Sequence, residues 1–341
     1  MNTRAIRIAT ITGAATLCWF AVSASAQPAF RDAKLRNESA APSLAAKIDA
    51  LNREAGPIWV GYEVPLVRQG RRHSWGDCGI RYLEDGNRNY TETSQEATSP
   101  VSAFILLRLA NHQTGKVTVA ESGCQLDASG LPVVWLSGVK QDESVAFLRR
   151  LAETDANEEA LMAIGVHETS TATKVLADLA SSKQPLRFRE KASFWLANER
   201  GPEGFPALQQ LARDADPRFR EKMTFHLTLV NDPRAIDELI RMAEGDSDTK
   251  VRSQAMFWLA QKAGAKAVSF LSAAAQNDPE VEVKKKAVFA LSQLPKDEGI
   301  PQLIHVAETN NSREVRKQAI FWLGQSNDPR ALKYLEQVLS R

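Results

Sequence analysis

The sequence predicts a mainly α fold: an α-solenoid of about six helix pairs, preceded by a small, mainly antiparallel β (α+β) domain. Three observations carry that expectation. First, Phe188-Arg189-Glu190-Lys191-Ala192-Ser193-Phe194-Trp195-Leu196 returns in near-copy at Phe219, Val251, Val283 and Val315. Second, the slot of Trp195 is refilled by His226, Trp258, Ala290 and Trp322, at spacings of 31, 32, 32 and 32 residues. Periods of this size mark units that cannot bury their own apolar faces and must stack on one another. Third, the stretch ahead of the repeats has a different pattern, with short apolar runs that alternate and end in turn-forming residues.

Each repeat reads as two helices. Val251, Ala255, Trp258 and Leu259 fall at slots 0, 4, 7 and 8, one face of a 3.6-residue helix. A second apolar stripe keeps step with the first, through Leu208, Leu239, Leu271, Leu303 and Leu335. Asp216-Pro217 and Asp278-Pro279 precede first helices, and Asp232-Pro233 and Asp328-Pro329 precede second ones. Asp caps the free amides of a helix start, and Pro suits the first helical position because its missing N–H has no partner there. A weaker sixth copy, with Ala160, Ala163 and Ile164 in the corresponding slots, lies one period upstream, and Val145 to Ala152 reads as the lone helix of a degenerate cap.

At these residues the chain resembles the HEAT family, more closely its short bacterial branch named after the repeats of phycobilisome lyases. The shared pattern is Val-Arg-x-x-Ala, then Leu, then Asp-Pro-x-Ala and a leucine-bearing second helix. It is clearest in Val251-Arg252, Ala255, Leu259 and in Val315-Arg316, Ala319, Leu323, Asp328-Pro329, Ala331-Leu332. The resemblance spans residues 155 to 341 and implies a superhelix used for protein binding. It does not carry the lyase activity over, because no residue here identifies a bilin site.

The N-terminal 26 residues have Arg4 and Arg7, an apolar run from Ile8 to Val22 and Ala24-Ser25-Ala26 ahead of Gln27. That is the grammar of a cleaved signal peptide, and the run is short for a membrane span. The expected product is exported to the periplasm or the cell exterior, with no membrane insertion after cleavage. Two cysteines then remain, Cys78 and Cys124, and an even pair in an oxidising compartment is expected to form a disulfide. With Arg4 and Arg7 removed from 43 basic residues, the mature chain balances its 41 acidic ones. A neutral chain with interspersed signs argues against nucleic acid as a partner.

The expected organisation is a signal peptide (1–26), a flexible lead-in (27–42), a small disulfide-bonded β domain (43–140) and the solenoid with its degenerate cap (141–341). Within the β domain, Ser43 to Glu54 reads as a helix capped by Ser43. Ile58 to Leu66 alternates like a half-buried strand, Phe104–Leu109 and Lys116–Ala120 read as a hairpin around residues 111–115, and Ile80–Leu83 and Val133–Leu136 are further strands. No catalytic motif stands out. His73, Asp77 and Cys78 cluster without a nucleophile arrangement, and Trp59, Trp75 and Trp135 read as core. No metal or cofactor is expected. An enzyme or a sugar- or peptide-binding activity in the β domain is the alternative, and a structural spacer the third reading.

A protein-binding scaffold is the favoured reading, with a protein or peptide partner held on a concave face of second helices that includes Gln209, Arg241, Ala273, His305 and Gln337. A competing ridge is formed by Phe194, Phe225, Phe257, Phe289 and Phe321, all at slot six, about 240° around the helix where the apolar face centres near 25°. The rings are expected to pack between repeats rather than to form an exposed recognition patch. Arg189, Arg220, Arg252, Lys284 and Arg316 repeat at slot one, and are expected to pair with acids such as Asp232 or Asp328.

Overall fold

Alternating apolar residues build the first part of the molecule and 32-residue helix pairs build the rest. In the computed structural model, residues 28–54, 56–67, 79–84, 89–90, 102–155, 157–181, 183–262 and 265–340 are described. Strands β1 (Phe30–Arg31), β2 (Lys34–Ser39), β3 (Ile58–Pro65), β4 (Ile80–Tyr82), β5 (Asn89–Tyr90), β6 (Ser102–Ala110), β7 (Gln113–Glu121), β8 (Gln125–Asp127) and β9 (Pro132–Ser137) make two sheets. The larger has the order β2-β9-β3-β6-β7, the smaller β1-β8-β4-β5.

The sheets are mixed. The long β3–β6–β7 meander is antiparallel, as expected, but β2 and β3 both flank β9 in parallel, and β1 and β4 both flank β8 in parallel. The expected flexible lead-in is therefore corrected, because residues 30–31 and 34–39 are the strands β1 and β2. Their polar sequence hid them: β2 has an almost wholly exposed side-chain pattern and is held by backbone pairing to β9. The β6–β7 hairpin is also tighter than expected. Asn111 and His112 alone form its loop, both at positive φ (52° and 60°), which matches the twist of the flanking strands. A register shift beside Leu109 absorbs the extra residue.

Strand β3 is buried on both faces, not one. Trp59, with Phe104, Leu106, Leu126, Val133 and Trp135, faces the smaller sheet. Here Gly61 is required, since a Cβ would meet the Trp135 ring at 2.7 Å. Val60, Tyr62 and Val64, with Ile105, Leu107, Val117 and Val119, face the helices and join one continuous core that runs through the repeats to Ala331.

Helix α1 (Leu44–Leu51) is capped by Ser43, whose hydroxyl accepts from the Ala46 N–H. Beyond Ser137 the chain turns wholly helical: α2 (Gln141–Asp155), α3 (Glu158–Gly165), α4 (Ser170–Ser181), α5 (Leu186–Leu211), α6 (Pro217–Leu229), α7 (Pro233–Gly245), α8 (Thr249–Lys262), α9 (Ala265–Asn277), α10 (Val281–Ser292), α11 (Lys296–Thr309), α12 (Arg313–Gln325) and α13 (Pro329–Leu339). After α2 they form six pairs, because α5 is itself a pair broken at Gly201 (φ 46°, ψ −124°). Gly takes that conformation without a Cβ penalty, and Pro202 restarts the helix. Asp216, Asp232 and Asp328 cap as expected, each accepting from the N–H two residues on. Consecutive first helices (α5, α6, α8, α10, α12) pack directly on one another.

Candidate functional site

Three side-chain systems were raised by the 32-residue register, and the structure assigns each a place. The phenylalanines of slot six and the aromatics of slot seven join in one ladder along the first helices. Trp195 meets Phe194 (ring centroids 4.9 Å), which stacks on Phe225 (6.5 Å), which meets Trp258 (5.0 Å). Trp258 meets Phe257 (5.0 Å), Phe257 stacks on Phe289 at 6.4 Å and 4°, Phe289 meets Trp322 (5.2 Å), and Trp322 meets Phe321 (5.0 Å). Phe194, Phe225, Phe257 and Phe289 are half-buried between repeats, while Phe321, which ends the ladder, is 52% exposed. Stacked and edge-on ring pairs contribute about 0.5–1.5 kcal/mol each beyond their burial, so the ladder is a continuous inter-repeat seam. Trp195, Trp258 and Trp322 were expected on the core face; they are half-buried at its margin, and only His226 and Ala290 of that slot are buried.

The basic column is a structural ladder, but its partners differ from those expected. Arg220 grips Asp246 with two bonds of 2.8 Å, and Arg252 grips Asp278 at 3.1 and 3.3 Å. Arg189 pairs with Asp214. Arg316 donates to the Asn310 and Asn311 carbonyls at 2.6 and 3.2 Å, and Lys284 to the Gln276 carbonyl at 2.8 Å. The acids come from the turns between repeats, at Asp214, Asp246 and Asp278, with Asn310 next in register. Each also accepts at 2.9 Å from the N–H two residues on, which fixes the turn. Asp232 and Asp328, the expected partners, bind Arg234 and Arg330 instead. The signal was present in the sequence as a 32-residue repeat of Asp, Asp, Asp and Asn. Burial pushes the Asp246 carboxyl up, yet the Arg220 hydrogen bond, the Asp248 N–H and nearby positive charge more than offset it, leaving it below the usual carboxylate range.

The second-helix column is uneven. Gln209 and Arg241 are half-buried and committed to Glu238, a buried carboxylate that accepts from Gln209 at 3.1 Å and from Arg241 at 2.6 Å. Ala273, His305 and Gln337 are exposed. Second helices are also tied laterally by polar pairs, Ser272 to Gln302 at 2.7 Å and Gln276 to Thr309 at 2.8 Å.

A fourth system was not foreseen. At the junction of sheet and helices, Tyr62 from β3, Ser144 from α2 and His167 after α3 are all fully buried and linked by hydrogen bonds of 2.7 and 2.8 Å. His167 Nδ1 lies 2.6 Å from the Ala163 carbonyl, to which it must donate. Its Nε2 therefore accepts from the Ser144 hydroxyl, which in turn accepts from Tyr62. Burial lowers His167 to a pKa of about 4, so the ring stays neutral, and burial raises the Tyr62 phenol. Beside it Arg200, 1% exposed, donates to the His167 carbonyl (2.5 Å), the Thr169 carbonyl (2.9 Å), Thr173 (2.8 Å) and Glu203 (2.8 Å). The end of β3 is sewn to the same turn by Val67 N–H to Val166 O (2.9 Å) and Glu168 N–H to Pro65 O (3.1 Å). The arrangement fixes the sheet against the first repeat. With three side chains sealed from solvent, it offers a substrate no approach.

Trp59 and Trp135 are buried, as expected of core aromatics. Cys124 is buried in the smaller cluster, 4% exposed. Its expected partner Cys78, together with His73, Trp75, Asp77 and the N-terminal segment, lies outside the described residues. Among the described residues no group of three His, Cys, Asp or Glu is placed to hold a metal ion, and no helix is long and apolar enough to cross a membrane.

Residues 173–260, 205–292 and 268–341 match the family described as HEAT repeats. The helical half of this chain belongs to the HEAT-repeat family. Among solved structures, the complex of CpcE and CpcF of phycocyanin lyase from Nostoc sp. PCC7120 is 24% identical, over 45% of this chain and 99% of that one, with a TM-score of 0.36. A designed armadillo repeat protein in complex with the peptide (KR)4 is 17% identical over 55% of this chain and all of its own (100%), with a TM-score of 0.33. Human deoxyhypusine hydroxylase in complex with glycerol is 20% identical over 57% and 77% of the two chains, with a TM-score of 0.27. No curated protein matches the sequence. The HEAT repeats here are thus of known kind, and the sheet module ahead of them lies outside the family match.

Proposed function

We propose that this chain is an exported, non-enzymatic protein-binding scaffold of the cell envelope, which holds a protein or peptide on its second-helix layer. The observation that carries the reading is the contrast between the two helix layers. On the first helices the aromatic ladder is spent largely on contacts within the array, whereas on the second helices Ala273, His305 and Gln337 stand open in successive repeats. An extended surface of stacked units is what repeat scaffolds use for recognition.

Export rests on the signal-like segment Met1 to Ala26, and the Cys78–Cys124 disulfide on export. Mass measurement of the N-terminus of protein recovered from the envelope should give Gln27 as the first residue. An intact Met1 there would sink the export reading. For the binding face, the exported protein is used as bait in its native envelope fraction. His305→Glu combined with Ala273→Arg should abolish capture of a specific partner, while Phe225→Ser at the ladder leaves it in place. The reverse pattern would transfer the binding face to the aromatic ridge.

A further inference from the structure

Where the sheet meets the helices, a cleft of about 380 Å³ opens between the edge strand β7, the short strand β4, the start of α3 and the first half of α5. That volume lies in the range of small-ligand sites, which occur preferentially at such junctions. Tyr82, Met162 and Trp195 supply apolar surface, and Trp195 is also the first ring of the aromatic ladder. The charges lining the cleft are Arg81, Lys116, Lys191, Glu158 and Glu159.

Most of these charges have an occupation. Glu158 is held by Arg187 at 3.0 Å and faces Lys191 at 3.9 Å. Lys116 donates to the Leu83 carbonyl at 2.8 Å and lies over the Trp59 ring. Glu159 is exposed to solvent. Arg81 differs. It is half-buried, burial lowers its pKa, and Glu121 acts on it through space, yet among the described residues its guanidinium makes no hydrogen bond to an acid. A half-buried guanidinium gains from a charged partner, and its planar fork matches a carboxylate with two parallel bonds.

We propose that this cleft binds an apolar carboxylate, with the carboxylate on Arg81 and the apolar part against Met162 and Trp195. Both a free aliphatic acid and the C-terminus of an apolar peptide present that chemistry.

The test is calorimetric titration of the full chain with octanoate, with octylammonium and with N-acetyl-trileucine bearing a free carboxylate. At least one of the two carboxylates should bind, and octylammonium should bind roughly ten-fold more weakly or not at all. Octanoate binding alone identifies a free acid as the source; stronger binding of the peptide identifies a chain terminus. Arg81→Met should remove the preference for carboxylate over ammonium, and Arg81→Lys, which keeps the charge and removes the fork, should weaken carboxylate binding roughly ten-fold. Equal affinity for octanoate and octylammonium, no binding of either carboxylate, or unchanged carboxylate affinity in a folded Arg81→Lys protein would overturn the assignment.

Discussion

The two ends of the helical array are finished in opposite ways. At the start, the five-stranded sheet lies across α2 and α3, and the Tyr62–Ser144–His167 chain and Arg200 sit in a region sealed from solvent. At the other end, α12 and α13 leave Phe321 52%, Leu332 60% and Leu339 87% exposed, and Ala331 is the one buried residue of α13. A repeat held on both sides by neighbours unfolds only with them, whereas a terminal repeat has lost half of its contacts and can open alone. The sheet therefore acts as the cap of the array, and it does so with buried polar groups as well as apolar area. Each of those groups has to be satisfied, which fixes one relative placement of sheet and helices.

Arg200 holds the sealed end most firmly. Arg200→Met would remove five donors and leave the His167 and Thr169 carbonyls without their partner, at a cost of about 3–5 kcal/mol. Chemical denaturation should show this loss along with earlier opening of α3 and α4; a loss below about 1 kcal/mol would mean that the network is incidental.

Acid should reach the sealed regions next. Burial lowers His167 to a pKa of about 4 and His226 to about 3, from an ordinary value of 6.5. A depressed folded pKa stabilises the fold at pH values above 6.5, and that contribution is lost as pH falls toward the folded value. For His167 alone the loss between pH 6.5 and 4 is about 3 kcal/mol, on the order of 1.4 kcal/mol per pH unit. Equilibrium unfolding across that interval should be steeper in the native protein than in a His167→Gln variant. Matching slopes would remove His167 from the account.

The aromatic ladder carries the same contrast between flanked and terminal repeats into the array. Trp258 is flanked by Phe225 and Phe257, while Trp322 is flanked by Phe289 and Phe321 in the last repeat. Trp258→Ala should cost about 2–3 kcal/mol, below the 3–5 kcal/mol of a fully buried Trp, because the indole is half-buried. Trp322→Ala should cost about half as much, with hydrogen exchange of α12 and α13 rising first. Equal costs at both sites would contradict nearest-neighbour stacking. The smallest effect is expected at the open end itself. Leu339→Ser should stay within about 0.5 kcal/mol by thermal melting, since an 87% exposed side chain has little burial to lose.

Much of this fold was legible because its information is local. Slots 0, 4 and 8 of each first helix give the helices, the Leu208 to Leu303 stripe gives their partners, and Asp-Pro gives three starts, whereas α10 begins after Glu280, beyond Asp278-Pro279. The candidate site was legible only in part. The register placed Phe194 through Phe321 in one column, but side-chain stacking between repeats set how far each ring is covered. The column through Gln209 and Arg241 read as open surface, because packing of neighbouring second helices buries Glu238, which takes Gln209 from the adjacent repeat and Arg241 from its own helix. Strand β2 escaped notice since its polar side chains carry no burial signal, and backbone pairing to a strand about 100 residues away holds it.

The repeat unit, its length, most of its helix starts and the positions of the central strands follow from residues near one another in the chain. Tertiary structure alone decided the rest. It chose Asp246 over Asp232 as the partner of Arg220, placed β9 between two parallel neighbours, and brought β3, α2 and the α3–α4 turn together around His167. These outcomes depend on which groups meet after the chain has closed long loops. A buried charge or hydroxyl then takes the partner that packing brings within hydrogen-bond reach.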